Sequence, residues 1–453
     1  MRACAAAWAT ALPARSRGSR RRTKRRQARC RPQRWLQHSF ISVEPSMTSF
    51  STVSDTSIDT SAIRARLDRL ETYLRDDSGN EGLLAEAFTA ALQCAAWDRA
   101  EFHLRHGQSL RPGAWDWALR EADFWLAQSD FPRAEQVLHG LQGLPGQPPA
   151  FADAVLHNLA FIDFQQGRHA ACAERLAPRM EAQAQGHVEA GSSALDVLWL
   201  RALHRAGDMV RATQWAQAMD RRAGLSARAA GVASLAALDA EQIGDATRWS
   251  AMALDAAPGV VPTLEALVTQ ASLALAAADA RKARELSAAA LRLNPADGRA
   301  RSALAFAELL AKDASAALDH FRQALKAMPG HIGTWHGQAW TQVVLKDLDG
   351  ARDSFESALA LDRNFAESHG GLAVVAALVR DEGAARAHAE RALRLDAGNL
   401  SGRFAQAILD GETSSAEAFE LLAKRLMAGM ESANGESLFE SVSRASRPRS
   451  RGQ

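Results

Sequence analysis

Small and apolar residues recur at a fixed interval between residues 298 and 397. Ala317, Ala351 and Ala385 lie 34 residues apart, and each is followed seven positions later by a second Ala and then by a Leu. Around them the apolar residues keep the three- and four-residue spacing of an amphipathic helix. A period of this length is typical of arrays in which each unit is a pair of helices. The pattern therefore predicts an all-α fold whose core forms between stacked units.

The small residue that begins this pattern, which we call the anchor, also recurs upstream. There the interval varies from 34 to 41 residues, and the anchors are predicted at Ala100, Ala134, Ala171, Ala212, Ala246 and Ala283. The longer intervals coincide with stretches rich in Gly, Pro or Ser at residues 141–149, 181–193 and 256–262. A stacked array tolerates insertions at the turns between units. We therefore expect the array to begin near residue 81.

Turn-forming residues divide each unit into two helices. The predicted turns are at Gln166-Gly167, Gly207-Asp208, Gly244-Asp245 and Lys346-Asp347, and the second helix is followed by Pro112, Pro258, Pro295 or Pro329. Helices of about a dozen residues are marginal in isolation. Packing between neighbouring units is therefore expected to supply most of the stability.

On these residues the chain resembles the tetratricopeptide repeat family. That family has small residues where its two helices cross, an aromatic or Leu near the start of the first helix, and Pro at the end of the unit. One unit matches with Trp335, Ala339, Ala351, Phe355 and Ala358, and the unit before it with Leu304, Ala305, Ala317, Phe321, Ala324 and Pro329. The resemblance implies a right-handed α-solenoid of stacked helix-turn-helix repeats. It also implies that Trp335 packs in the core of its unit, as we expect for most of the other tryptophans.

We predict six segments along the chain. They are a basic and then Ser/Thr-rich disordered arm (1–61), an N-terminal capping helix (62–80), divergent repeats (81–263), clear repeats (264–397), a C-terminal capping helix pair (398–430) and a disordered tail (431–453). The first 46 residues carry 12 Lys and Arg against one acid, a net charge of +11, whereas the whole chain carries +2. Residues 47–453 therefore have a net charge of −9.

Four interpretations of the basic arm stay open. It fits an organelle transit peptide, a nuclear signal or a nucleic-acid-binding segment. The fourth interpretation, which we favour, is that translation starts at Met47 and that the preceding residues come from an over-extended reading frame.

The remaining composition favours a cytoplasmic protein. No stretch approaches 18 apolar residues, so no membrane span is expected. The four cysteines include no CxxC pair, and only Cys94 and Cys172 lie in the repeats. Isolated thiols at helical positions favour a reducing compartment.

Motifs that would indicate catalysis are missing from the sequence. It contains no GxxxxGK[ST], GxGxxG, GxSxG or HExxH, so we expect no enzymatic activity, no cofactor and no metal site. His103 and His106 lie three apart on a predicted helix, but no third ligand accompanies them.

The resemblance implies that the first helix of each unit lines a concave groove. Residues 15, 11 and 8 positions before each anchor would point into it, with a one-residue shift in the unit of Ala171. The predicted groove is mostly apolar, and we expect partner contacts from Phe161, Phe164, Arg201, His204, Leu235, Phe306, His336, Trp340 and Val374. Phe306 and Trp340 stand where some co-chaperones of this family hold a carboxylate with Lys and Asn, which argues against that ligand.

The sequence hypothesis is therefore a non-enzymatic scaffold or adaptor that binds an amphipathic or apolar segment of a partner polypeptide. Two alternatives are a substrate-recruiting or regulatory subunit of a transferase or secretion complex, and a structural protein that self-associates as a homo-oligomer. Nucleic acid is an expected partner only for the basic arms, which are the N-terminal arm and the C-terminal tail with Arg444, Arg447, Arg449 and Arg451.

Overall fold

A computed structural model describes residues 60–189, 191–255 and 262–412. Within these residues the chain forms twenty helices and no strand. The all-α repeat fold predicted from the 34-residue period is confirmed. Residues 1–59 and 413–453 lie outside the described part. They include most of the predicted arm, the predicted tail and the second helix of the predicted C-terminal pair.

The helices follow one another as nine pairs between two single helices. The first single helix is α1 (Thr60–Asp76) and the last is α20 (Leu400–Leu409). The pairs are α2 (Glu81–Gln93) with α3 (Trp97–Leu110), α4 (Trp115–Ala127) with α5 (Phe131–Leu141), α6 (Pro149–Gln165) with α7 (His169–Gln185), α8 (Ser193–Ala206) with α9 (Met209–Arg222), α10 (Ala227–Asp239) with α11 (Ile243–Leu254), α12 (Leu264–Ala276) with α13 (Ala280–Leu293), α14 (Gly298–Leu310) with α15 (Ala314–Ala327), α16 (Ile332–Val344) with α17 (Leu348–Leu361), and α18 (Ala366–Leu378) with α19 (Glu382–Leu395).

The described residues divide into two compact units, 60–266 and 267–412. In each unit a helix packs mainly on the helices next to it in sequence. The largest apolar core of the first unit is built from α6 to α11, and the cores of the second unit lie between successive pairs from α12 to α20.

A single residue in left-handed backbone conformation makes the turn inside each of the nine pairs. The turn residues are Ala95, Ser129, Gly167, Gly207, Glu241, Ala278, Lys312, Lys346 and Arg380, with φ between 53° and 79°. In six pairs an Asp follows directly and accepts a hydrogen bond from the backbone N–H three residues on, which caps the second helix. The predicted turn at Gly244-Asp245 is wrong, because the chain turns at Glu241 and those two residues lie in the first turn of α11.

The anchor lies five residues after each turn residue and is inaccessible to solvent in all nine pairs. A side chain larger than Ala or Cys does not occur there, because the two helices of the pair cross at this point. The anchor predicted at Ala171 is corrected to Cys172, since Ala171 is exposed and the Cys172 side chain is buried. Burial raises the pKa of the Cys172 thiol to about 12, so this cysteine acts as a small apolar residue.

Aromatic rings join consecutive pairs in the second unit. Phe321 and Phe355 lie four residues after their anchors and are fully buried. Each ring lies against a Gly of the next first helix, so that a Cβ on Gly337 would stand 2.5 Å from Phe321 and a Cβ on Gly371 would stand 2.3 Å from Phe355. The absence of a side chain at these two glycines therefore sets how closely the pairs stack.

In the second unit, a side chain near the start of the first helix holds the turn between pairs. Arg301, Trp335 and His369 lie 16 residues before their anchors, and Arg403 has the equivalent position in α20. Each donates a hydrogen bond to the carbonyl oxygen six residues earlier. Trp335 was expected in the core, but it is only half-buried because its ring covers this turn and its Nε1 donates to Pro329 at 2.8 Å. Trp117, Trp199, Trp215 and Trp249 are buried as predicted, whereas Trp97, Trp115 and Trp125 are half-buried.

None of the helices within the described ranges is both long enough and apolar enough to cross a membrane.

Candidate partner-binding surface

The surface considered for binding consists of the residues 15, 11 and 8 positions before each anchor, which we call the first-helix surface. Residues of the 15-position row are buried in every predicted pair from α4 to α19, because they face the neighbouring first helix. The other two rows mix buried and partly exposed side chains. Accessible area on this surface therefore comes only from the 11- and 8-position rows.

The nine side chains predicted to contact a partner differ in accessibility. Those that keep partial exposure are Phe161, Phe164, Arg201, His204 and Trp340. Those that are buried are Leu235 (7% exposed), Phe306 (4%), His336 (7%) and Val374 (0%). The four buried side chains belong to the packing between helices, so a direct contact with a partner rests on the first five.

Phe306 and Trp340 occupy the same register position in neighbouring pairs. Phe306 packs edge-on against Phe321 with ring centroids 4.9 Å apart, and Trp340 packs in the same way against Phe355 at 5.3 Å. A ring 11 positions before the anchor thus rests on the ring four positions after it. The larger indole of Trp340 extends beyond this contact and stays partly exposed, whereas Phe306 is covered.

Trp340 lies beside a carboxyl group that burial makes difficult to ionise. Glu367 Oε1 accepts a hydrogen bond from Ser401 Oγ at 2.6 Å, and Oε2 accepts one from Asn399 Nδ2 at 3.0 Å. Burial raises the pKa of Glu367, although these two donors and the nearby Trp340 indole oppose the rise. The Trp340 Nε1 atom is itself buried and forms no well-aligned hydrogen bond with the described residues. The indole therefore presents its apolar face to solvent, while its N–H lies inside, near Glu367.

Arg201 and His204 are engaged in ion pairs within the first unit. Arg201 Nε lies 2.7 Å from Glu265 Oε1, and His204 Nε2 lies 2.8 Å from Asp239 Oδ2. Burial would raise the pKa of Glu265, but Arg201 holds that pKa below its usual value. Both side chains are thus already engaged by carboxylates of the protein itself, and a partner would meet a paired Arg201 rather than a bare charge.

A buried polar network that includes two residues of the first-helix surface joins α4 and α6. Asn158 Nδ2 donates to Asp123 Oδ1 at 3.0 Å, and Asn158 Oδ1 lies 3.1 Å from His157 Nδ1. Burial raises the pKa of Asp123 to about 7, since Asn158 and Arg120 offset the desolvation only in part. Burial also lowers the pKa of His157. Both groups are therefore held toward their neutral forms.

Hydrogen bonds of the same kind connect first helices in the second unit. Ser302 Oγ lies 3.0 Å from Thr334 Oγ1, and His336 Nε2 lies 2.8 Å from Ser368 Oγ. Both pairs span 32 residues and begin 15 positions before an anchor. The surface is thus less apolar than the sequence predicted. The recurrence of polar residues at an interval of 32 was the signal that would have revealed these contacts.

No group of three His, Cys, Asp or Glu side chains suited to a metal ion occurs in the described part of the chain. The His103 side chain, considered above for a metal pair, is buried and its Nε2 lies 3.0 Å from Glu71 Oε1.

Comparison with known proteins adds little on function. No protein-family model and no curated protein matches the sequence. Among solved structures, the crystal structure of the APC/C heterotetramer Cut9–Hcn1 is similar with a TM-score of 0.48 and 15% identity, and the match covers 73% of this chain and 63% of that one. PilF of Pseudomonas aeruginosa is similar with a TM-score of 0.38 and 16% identity, over 48% of this chain and 96% of that one. The chain thus spans less than two thirds of the first of these structures.

Proposed function

We propose that this chain is a non-enzymatic scaffold that binds a segment of a partner polypeptide on its first-helix surface. The observation that carries the proposal is the partial exposure of aromatic side chains at repeated register positions, namely Phe161 and Phe164 in the first unit and Trp340 in the second. Aromatic side chains supply much of the binding energy at protein interfaces because they bury a large area at a small loss of conformational entropy.

The partner segment is expected to be amphipathic or apolar. Arg201 and His204 on the first-helix surface already have carboxylate partners, so an acidic segment would have to compete with Glu265 and Asp239. Apolar side chains of a partner can instead cover the exposed parts of the rings without breaking an existing ion pair.

Site-specific crosslinking tests this proposal without changing the buried rings. A photoreactive amino acid at Phe164 and, separately, at Val343 samples the 8-position row in each unit. Matched control positions are Val210 and Leu395, which are 63% and 36% exposed on second helices. Crosslinking in the native host should give the same partner band from both first-helix positions and none from the controls.

A substitution then asks whether the aromatic surface provides the affinity. Trp340→Glu should abolish recovery of the crosslinked partner, whereas Leu395→Glu should leave it unchanged. The far-ultraviolet circular dichroism and melting temperature of both variants report whether folding is retained. Equal crosslinking at first- and second-helix positions, or full recovery with folded Trp340→Glu, would contradict the proposal.

A further inference from the structure

Two histidines in the last complete pair face each other across the helix interface. His369 lies on α18 and His388 on α19, and their Nδ1 atoms are 3.2 Å apart. The ring centroids are 5.4 Å apart, and both side chains are partly exposed. Neither residue belongs to the first-helix surface, since His369 is 16 positions before its anchor and His388 is three positions after it.

The backbone fixes which nitrogen of His369 carries the proton. His369 Nε2 lies 3.2 Å from the carbonyl oxygen of Arg363. A carbonyl oxygen only accepts, so Nε2–H is the donor and Nδ1 keeps its lone pair. Metal-binding histidines are commonly oriented in this way, with the second ring nitrogen donating to a backbone carbonyl.

This arrangement is specific to the α18–α19 pair. In the two preceding pairs the same backbone hydrogen bond is made by Arg301 and Trp335, which have no second nitrogen that could bind a cation. The residue three positions after the anchor is His320 in one of these pairs and Ser354 in the other. Among these three pairs, only α18 and α19 place two imidazoles within hydrogen-bonding distance of each other.

We propose that His369 and His388 form a binding site for a divalent transition-metal ion of the Zn²⁺, Ni²⁺ or Cu²⁺ class, held through their two Nδ1 atoms. Imidazole nitrogens bind these ions at about 2.0–2.1 Å, which separates two ligands on one ion by about 2.9 Å at 90° and about 3.3 Å at the tetrahedral angle. The 3.2 Å between the two nitrogens lies within this range. The ring centroids are 5.4 Å apart, so the two Nδ1 atoms point almost directly at each other, and binding requires both rings to turn until their lone pairs converge on the ion.

Binding needs no net loss of protons from the protein. In the ion-free state the proton shared between the two Nδ1 atoms belongs to His388, because His369 is protonated at Nε2. When an ion binds, His388 moves to its other neutral tautomer, with the proton at Nε2 and the lone pair at Nδ1.

The neighbouring charge favours a cation. Glu356 on α17 is close enough to raise the pKa of His388, and the same carboxylate would stabilise a bound ion. Because the protein supplies two nitrogens, water completes the coordination. We therefore expect an exchangeable site rather than a structural one that folding depends on.

Titration of the metal-free full-length chain with CuCl₂, NiCl₂ and ZnCl₂ at pH 7.5 by calorimetry tests this site. The dissociation constants should be lowest for Cu²⁺ among the three ions. His388→Ala should weaken binding by about tenfold or more. His369→Gln should do the same, and it preserves an N–H donor for the Arg363 carbonyl, so the turn between pairs is retained.

His320→Ala is the matched control, since His320 has the same register position as His388 but faces no second histidine. The His320→Ala variant should bind the three ions with the same affinity as the unchanged chain. Nitrogen hyperfine structure in the electron paramagnetic resonance spectrum of the Cu²⁺ complex should indicate two imidazoles. The proposal would be overturned if the unchanged chain bound none of the ions, or if the folded His369→Gln/His388→Ala variant bound them as tightly.

Discussion

At the scale of single residues, the turns inside the pairs carry backbone strain. Seven of the nine left-handed turn residues have a side chain, and only Gly167 and Gly207 do not. For an L-residue the left-handed conformation is unfavourable by roughly 1–2 kcal/mol, and glycine avoids this because it has no Cβ. These positions tolerate the strain because the buried anchor that follows each of them determines the path of the chain, together with an Asp cap at five of the seven.

Lys346→Gly should therefore stabilise the protein. Lys346 has a φ of 63° and an exposed side chain. Glycine removes the strain in the folded state but gives the unfolded chain more conformational entropy, and the first effect is the larger. We therefore expect the free energy of unfolding, measured by urea denaturation, to rise by about 0.5–1 kcal/mol. Gly207→Ala is the converse control, because it places a side chain at a φ of 79° in the equivalent turn. It should lower the free energy of unfolding by about 1 kcal/mol.

Asp123→Asn should change how stability depends on pH. The pKa of Asp123 rises from its ordinary value of 3.8 to about 7 in the folded protein. Between these values the folded state holds a proton that the unfolded state has lost, so this residue makes stability fall as pH rises from about 4 to 7. Asn keeps an acceptor for Asn158 and has no charge to bury. The variant should be more stable by on the order of 2–3 kcal/mol at pH 8 and equally stable at pH 4.

Chemical denaturation at both pH values distinguishes ionisation from packing. His157 is retained in both proteins, so its own pH dependence cancels in the difference. A gain of the same size at pH 4 and pH 8 would indicate that Asn improves packing and that Asp123 is not desolvated in the way described.

At the scale of elements, consecutive pairs are joined by rings placed against glycines. Phe355 packs under Trp340 and His336 and lies against Gly371 of the next pair. Trp335, by contrast, covers one turn and contributes a single hydrogen bond from its indole. The contribution of an aromatic residue to stability is thus set by its register within the pair more than by its size.

Substitution of these two rings should separate the two roles. Phe355→Ala leaves a cavity between two pairs and should destabilise by about 3–5 kcal/mol. Trp335→Ala removes a half-buried ring and one hydrogen bond, so we expect a loss of about 1–2 kcal/mol. Thermal unfolding of both variants shows which substitution lowers the stability more. A larger loss for Trp335→Ala would place that tryptophan in the core after all.

Most of the elements could be predicted because the anchor period depends on local packing. A residue with no room around it must be small in every pair, and this constraint is visible in one sequence. The prediction failed where other residue types met this constraint. Cys172 is the anchor in place of Ala171, and the turn at Glu241 contains no glycine. A cysteine and a strained glutamate meet the same requirements without the expected residue types.

The candidate surface was less predictable, because exposure depends on side chains from several pairs. The offsets from the anchor give the direction of a side chain but not what covers it. Phe306 and Trp340 have the same offset, yet Phe306 is enclosed by Phe321 and the following pair while Trp340 keeps an exposed edge. Likewise, no local pattern indicates that Arg201 is paired with a residue 64 positions away.

At the scale of the whole molecule, charge is distributed unevenly along the sequence. Residues 1–46 carry a net charge of +11, and residues 47–453 carry −9. A polyanion is attracted to the first segment and repelled by the second. Charge therefore restricts nucleic-acid binding to the basic arm, whatever the partner of the first-helix surface.

The full-length chain should accordingly bind a short DNA duplex only through this arm. Fluorescence anisotropy with a labelled duplex should show binding at low salt, and the affinity should fall by about a thousandfold or more between 50 and 200 mM NaCl if six or more phosphates are contacted. A chain that begins at Met47 should show no binding at 50 mM NaCl, because its net negative charge leaves no favourable counterion release. Binding by that shorter chain with a similar salt dependence would instead place the DNA contact within residues 47–453, in the repeats or in the Arg-containing tail.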